Sequence, residues 1–252
     1  MQSKVEYLDH AGDDLGVVNA ARVSHGDEHG EFDDVADAGL IRFLARGMTQ
    51  SEFDKLYGDI KHDKRRDYVI DYLRQWRSTP VHKSPFNHVW AKFRVHMPIF
   101  VARQLVKHEY LPWNERSGRY ETLEWVPRFY WPEDNDWRYE AENVKQGSGG
   151  PMDPETVEDL KEHYDLLLDS AEMWYNFARG RGLCAEQARM GLPQSLMTTV
   201  VWSGTLHAFV NMCKLRMDPH TQAESRVIAE QIHGHLERLF PVSTAALMSQ
   251  GV

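Results

Sequence analysis

The sequence predicts an α+β domain, and three observations carry that prediction. Val89, Ala91, Phe93, Val95 and Met97 alternate with Trp90, Lys92, Arg94 and His96, the period of a strand with one buried face. Several other stretches repeat apolar residues at helical spacing, the longest between Asp153 and Arg179. At 252 residues, 42% hydrophobic and 27% charged, the chain can bury a sizeable core; it shows no internal repeat or low-complexity tract and reads as one domain.

Taken in order, Val5 to Leu8 predicts a short strand. Asp13-Asp14 caps a helix to about Arg22, with Leu15, Val18 and Ala21 at helical spacing. After a loop, Asp33 or Asp34 caps a second helix with Val35, Ala38, Leu40, Ile41 and Leu44 inward, closed by Gly47. Arg65 to Arg77 reads as a third helix, which Thr79-Pro80 breaks, and HKSPFNH (82–88) turns into the alternating strand. Pro98 ends that strand and starts a helix from Ile99 to His108. Glu121 to Trp131 reads as an aromatic strand or extended stretch, followed by a loop containing GSGGP (147–151). Asp153 and Pro154 start the long helix, whose Val157, Leu160, Tyr164, Leu167, Leu168, Ala171, Trp174 and Phe177 read as core. A short helix (Ala185 to Met190) and a strand-like segment (Met197 to Trp202) follow. The chain then predicts a helix from Thr205 to Arg216 and a last one from Thr221 to Phe240, with Val227, Ile228, Ile232, Leu236 and Leu239 as the apolar face of the last.

Composition excludes several function classes. A net charge of −9 argues against general duplex-DNA binding, and the basic run KHDKRR (61–66) reads as a solvated helix start. The chain has no apolar run of about 18 residues, and MQSKVEYLDHAGDD has no apolar signal core, so it reads as cytoplasmic with no membrane partner. Cys184 and Cys213 lack CxxC spacing, and His82 and His88 lack further ligands, so neither a disulfide framework nor a metal site is expected.

The densest polar cluster lies between Arg103 and Tyr120, RQLVKHEYLPWNERSGRY, directly after the apolar run PIFVA. Arg103, Lys107, Arg116 and Arg119 suit a planar anionic ligand such as a nucleotide, and ordinary ion pairs at a solvated helix end would use the same residues. Lys107-His108-Glu109, seven residues, Ser117, and the run Asn114 to Tyr120 together resemble the signature of flavin-dependent thymidylate synthases. In that family Arg-His-Arg precedes the serine; here Lys107 and Glu109 stand where it has arginines, and Pro112 where it often has serine. AARVS (20–24), the turn at 82–88, Arg189 before Leu192-Pro193, and Leu215-Arg216 before Asp218 also match, in the family's order. Relative to compact members, residues 49–79 look like an insertion.

The resemblance implies a mixed sheet flanked by helices and a homotetramer whose active sites combine several subunits. It implies reductive methylation of dUMP to dTMP, with methylenetetrahydrofolate as one-carbon donor and NADPH as reductant through FAD. Gln104, Lys107, Glu115, Ser117, Gly118, Arg119, Arg189 and Arg216 would bind dUMP, and Arg216 would polarise the pyrimidine. Ser84, Lys107, His108, Glu109, Glu115, His207 and Asn211 would contact FAD, with Ser24 near the flavin. His207 and Thr205 replace an Arg and an Asn common in the family. Cys213 reads as a buried structural thiol and Cys184 has no neighbouring His, which favours a route without thiolate addition to C6. Two other readings are a flavoenzyme modifying C5 of another pyrimidine nucleotide, or giving a hydroxymethyl product, and a nucleotide-binding homologue that has lost FAD. If Glu109 faces the flavin's phosphates, its charge repels them, so Glu109→Arg should tighten FAD binding. Titration of apoprotein with FAD measures this, and unchanged or weaker binding would remove Glu109 from the flavin site.

Overall fold

The computed structural model of the chain describes residues 2–46, 67, 70–71, 80–120, 127–142 and 147–249. Most of the expected 65–77 helix and 49–79 insertion, Gly47, and residues 121–126 of the expected aromatic strand lie outside them.

The centre is a four-stranded sheet of β1 (Lys4–Ala11), β2 (Trp90–Pro98), β3 (Trp113–Glu115) and β4 (Met197–Thr205), in the order β1-β2-β4-β3. Ala91, Phe93, Val95 and Met97 are buried as the alternation predicts, and Val200 and Trp202 join them from β4 in the register Val95↔Val200, Phe93↔Trp202. Every described pairing of these strands is antiparallel, which corrects the expected mixed sheet. The reason is visible where Pro98 pairs with Met197: the long excursion after β2 returns the chain to the end of the sheet it left.

Helices α1 (Asp14–Arg22), α2 (Ala36–Ala45), α3 (Lys83–Phe86), α4 (Ile99–Leu105), α5 (Pro154–Gly180), α6 (Ala185–Ala188), α7 (Leu206–Arg216), α8 (Ala223–Leu239) and α9 (Pro241–Met248) complete the α+β fold. Phe209 of α7 sets its ring edge against both Phe93 (5.2 Å) and Trp202 (5.4 Å), and Ile228 and Ile232 of α8 belong to the same core. Two caps follow the sequence, Asp13 and Asp153, whereas Asp33 bonds the turn just before α2, whose N-cap is Val35. Asp13 accepts from the Gly16 amide (2.8 Å), Asp33 from Val35 and Ala36 (2.8 and 2.6 Å), and Asp153 from Thr156 (3.0 Å).

Several expectations change. Val35 occupies the N-cap position of α2 rather than its inner face and is 82% exposed. The helix after Pro98 stops at Leu105 instead of reaching His108. Among the described residues of the 121–131 stretch, Phe129 makes only an isolated bridge to Leu196. The long α5 buries Val157, Leu168, Ala171, Tyr175 and Ala178, while Leu160, Leu167, Trp174 and Phe177 are exposed; Tyr175 and Ala178 form a small cluster with Ala188, and Tyr164 packs against Trp131 and Trp137. On α8, Val227 is exposed where Ile228, Ile232 and Leu236 are buried.

Asp14 ties the two ends of the fold together. Its buried carboxylate accepts from the amides of Val242 and Ser243 (2.8 and 2.9 Å), two otherwise unpaired donors at the start of α9. Asp14→Ala leaves them unsatisfied in a buried place, so urea unfolding should show a loss of about 2 kcal/mol.

Candidate active site

Pro98, in an extended conformation, turns β2 directly into α4. The first amides of α4 then find partners outside the helix: Ile99 donates to the carbonyl of Leu196 and Phe100 to that of Gln194, both at 3.0 Å. These bonds pin the start of the Arg103–Tyr120 cluster to the segment that follows Arg189. Beyond α4, Tyr110 takes a left-handed conformation (φ 60°), and the carbonyl of buried Leu111 accepts from the Trp202 indole (3.0 Å). The chain then joins the edge of β4 as β3, a strand not expected from the sequence, and Arg116 continues the pairing by donating to Thr199 (2.8 Å).

A cavity of about 670 Å³ opens between the Ser117-Gly118-Arg119 loop and the single turn Arg189–Gly191. It gathers Glu115, Ser117, Gly118, Arg119 and Arg189 of the expected dUMP set. Glu115 accepts from Thr198 Oγ1 (2.8 Å), and the Arg119 Nε donates to Ser117 Oγ (3.4 Å). Arg119 also lies 3.8 Å from Glu186, but both groups are at least half exposed, and such a pair holds little energy. That arginine therefore remains available to an anion. Gly191 is required by space, because a Cβ there would collide with the Trp174 ring.

A second cavity, about 870 Å³, holds Gln104, Lys107 and Arg216, and Arg103 lines both cavities. Arg216 ends α7, where a cation complements the helix dipole. Its Nε donates to His108 Nε2 (3.0 Å) and its Nη2 to the Gln104 carbonyl (2.7 Å). Burial, and then the charge of Arg216, push the His108 pKa down, and burial also lowers that of Arg216. Accepting at Nε2 puts the single proton of the neutral ring on Nδ1. The Gln104 side chain is held by Gln222 and by fully buried Ser225.

A third group sits at the opposite end of α7. His207 and Asn211 are in contact (3.3 Å), and Ser84 is exposed on α3. Burial lowers the His207 pKa, with the charges of Lys83 and Lys214 adding to it. Glu109 is exposed and lines neither cavity, and Ser24 spends its hydroxyl on the Ala21 carbonyl (3.0 Å). Cys213 is wholly buried and its thiol is pushed up to about 12, whereas Cys184 is exposed. Thr198 and Glu186 line the first cavity without having been expected there, and Arg103 was expected only as one of the cluster's cations, with no specific role.

Residues 6–242 match the family described as "Thymidylate synthase complementing protein". A flavin-dependent thymidylate synthase of Gluconobacter oxydans is 32% identical over 95% of this chain and 68% of its own length. The chain belongs to the flavin-dependent thymidylate synthase family. Membership makes it an enzyme and implies a flavin cofactor. A flavin-dependent thymidylate synthase of Thermus thermophilus is 34% identical over 96% of the chain and 74% of its own length, and that of Dictyostelium discoideum 30% over 93% and 65%. In structure, the chain resembles a UMP/dUMP methylase of Streptomyces cacaoi bound with 5-Br dUMP, with a TM-score of 0.75, 25% identity, and coverage of 99% and 96%. The donor chemistry of the chain suits a flavin nucleotide: an amide and an imidazole at one end of α7, and cations around the Arg103–Tyr120 cluster at the other.

His108, His207 and His235 all have lowered pKa values, with burial the leading cause in each. The unfolded chain therefore takes up protons first as pH falls, so their contribution to stability is full above about pH 6.5 and is lost below it. Melting temperature should decline as pH falls below about 6.5, and replacing His108 with Gln should make the decline shallower. A flat profile in the wild type would contradict this.

Proposed function

We propose that the protein methylates C5 of dUMP, taking the carbon from methylenetetrahydrofolate and the reducing equivalents from NADPH through FAD. The observation that carries this reading is the pair of cationic cavities sharing Arg103, one built on Ser117-Gly118-Arg119 and Arg189, the other on Arg216. Arg119 and Arg189 suit a dianionic phosphate because guanidinium forks meet its oxygens in pairs. Arg216 suits the uracil ring, whose C5 becomes nucleophilic when a fixed cation stabilises negative charge on the carbonyl oxygen and N3. In the overall change the C5 hydrogen leaves as a proton and a hydride completes the methyl group. FAD, when bound, supplies that hydride. Ser84, His207 and Asn211, with Lys107 and His108, are the residues proposed to hold it; Glu115 orients a ring in the first cavity. The inert Cys213 thiol supports a route without covalent addition to C6.

The proposal includes assembly. The expected nucleotide residues divide between two cavities of one chain, and α5 leaves Leu160, Leu167, Met173 and Phe177 exposed. Both features support a homotetramer in which different copies complete each site. A second reading, methylation of UMP, is favoured by the likeness to the Streptomyces cacaoi UMP/dUMP methylase. Product mass after incubation with methylenetetrahydrofolate, NADPH and either nucleotide separates the two. For the shared mechanism, Arg216→Ala should keep fold and flavin absorbance while lowering turnover by about two orders of magnitude. Turnover near that of the wild type would remove Arg216 from the chemistry.

A further inference from the structure

We infer that His108 is a positioning residue for Arg216, its Nε2 fixing the direction of the guanidinium that the reaction uses. This rests on the proposed role of Arg216 and deepens it. An arginine at the end of a helix has many rotamers, and a charge that must meet one ring edge stabilises a transition state only when it is already oriented. Here two acceptors set the plane. The His108 ring takes Nε–H at 3.0 Å, and the Gln104 carbonyl, in the last turn of α4 where carbonyls lack helical partners, takes Nη2–H at 2.7 Å. Neither bond uses Nη1, whose donors remain for a ligand. Gln104 is itself fixed, by Gln222 and Ser225 of the following segment, so the frame that holds Arg216 is anchored in α8 as well as α4.

The same bond redefines what His108 can do for a cofactor. A neutral imidazole has one lone pair on nitrogen, and here it lies on Nε2 and is spent on Arg216. Only Nδ1–H is left for another partner. His108 thus reaches the reaction through Nε2 and Arg216, while Nδ1–H stays available to the flavin it is proposed to hold.

A double-mutant cycle tests this. At saturating FAD, His108→Ala should lower kcat about tenfold, with KM for dUMP within about twofold of wild type. His108→Gln presents an amide oxygen near the position of Nε2 and should recover most of the lost kcat. Added to Arg216→Ala, His108→Ala should cost nothing further, since the group it orients is gone. Independently of turnover, the Arg216 Nε–H resonance should exchange slowly in the wild type and the Gln variant, and rapidly in the Ala variant. Losses that multiply in the double variant at saturating FAD would overturn the inference. If the wild type neither binds dUMP nor forms product, the functional reading itself falls, and the Nε–H exchange still decides whether His108 holds Arg216.

Discussion

The nine residue pairs between β2 and β4, from Trp90↔Thr205 to Pro98↔Met197, determine where the chemistry-bearing residues end up. Each strand runs straight into a helix, α4 after Pro98 and α7 after Thr205, and because the strands are antiparallel the two helices start at opposite ends of the sheet. An eleven-residue α7 is about 16 Å long, enough to carry the chain back across the core, so that Arg216 arrives beside Gln104 and His108. The same geometry leaves His207 and Asn211 near the far end, next to α3. A one-residue slip of β2 against β4 would turn Phe93 and Trp202 out of the core and undo this placement.

Much of the fold was legible because its patterns reflect local physics. The alternation through Phe93 and Val95 requires one buried face, and Asp13 and Asp153 advertise helix starts by the amides they accept. What remained hidden depends on distant partners. Trp113–Glu115 is a strand only because the edge of β4 is there to receive it. The periodicity of α5 reports an apolar stripe but not what covers it, which is why Leu160 and Phe177 read as core and stand exposed. Ser117, Gly118, Arg119 and Arg189, which the resemblance assigned to one nucleotide, line one cavity although some seventy residues separate the first three from the last, and a single sequence contains no other sign of that proximity. Arg103 was legible as a cation suited to an anionic ligand but not as a residue shared by two cavities, because that place depends on the fold.

A chain of net charge −9 that concentrates arginines in two hollows separates its global field from its local one. At physiological ionic strength charges more than about 8 Å apart are largely screened, so the acidic surface does little to oppose an anion already inside a cavity. Within the cavity the cations act at short range, where forked hydrogen bonds distinguish phosphate from other anions.

The bonds from Asp14 to Val242 and Ser243, with that from the Val5 amide to Gln231 (2.9 Å), join the first strand and helix to the last two helices. On a ribosome, the N-terminal segment is made first and must wait for more than two hundred residues before these partners emerge. At about 5–20 residues per second that interval is on the order of ten seconds or more, during which the edge of β1 and the carboxylate of Asp14 stay solvated. The domain therefore closes late, and truncation near its C-terminus removes the partners of its first helix as well as its last.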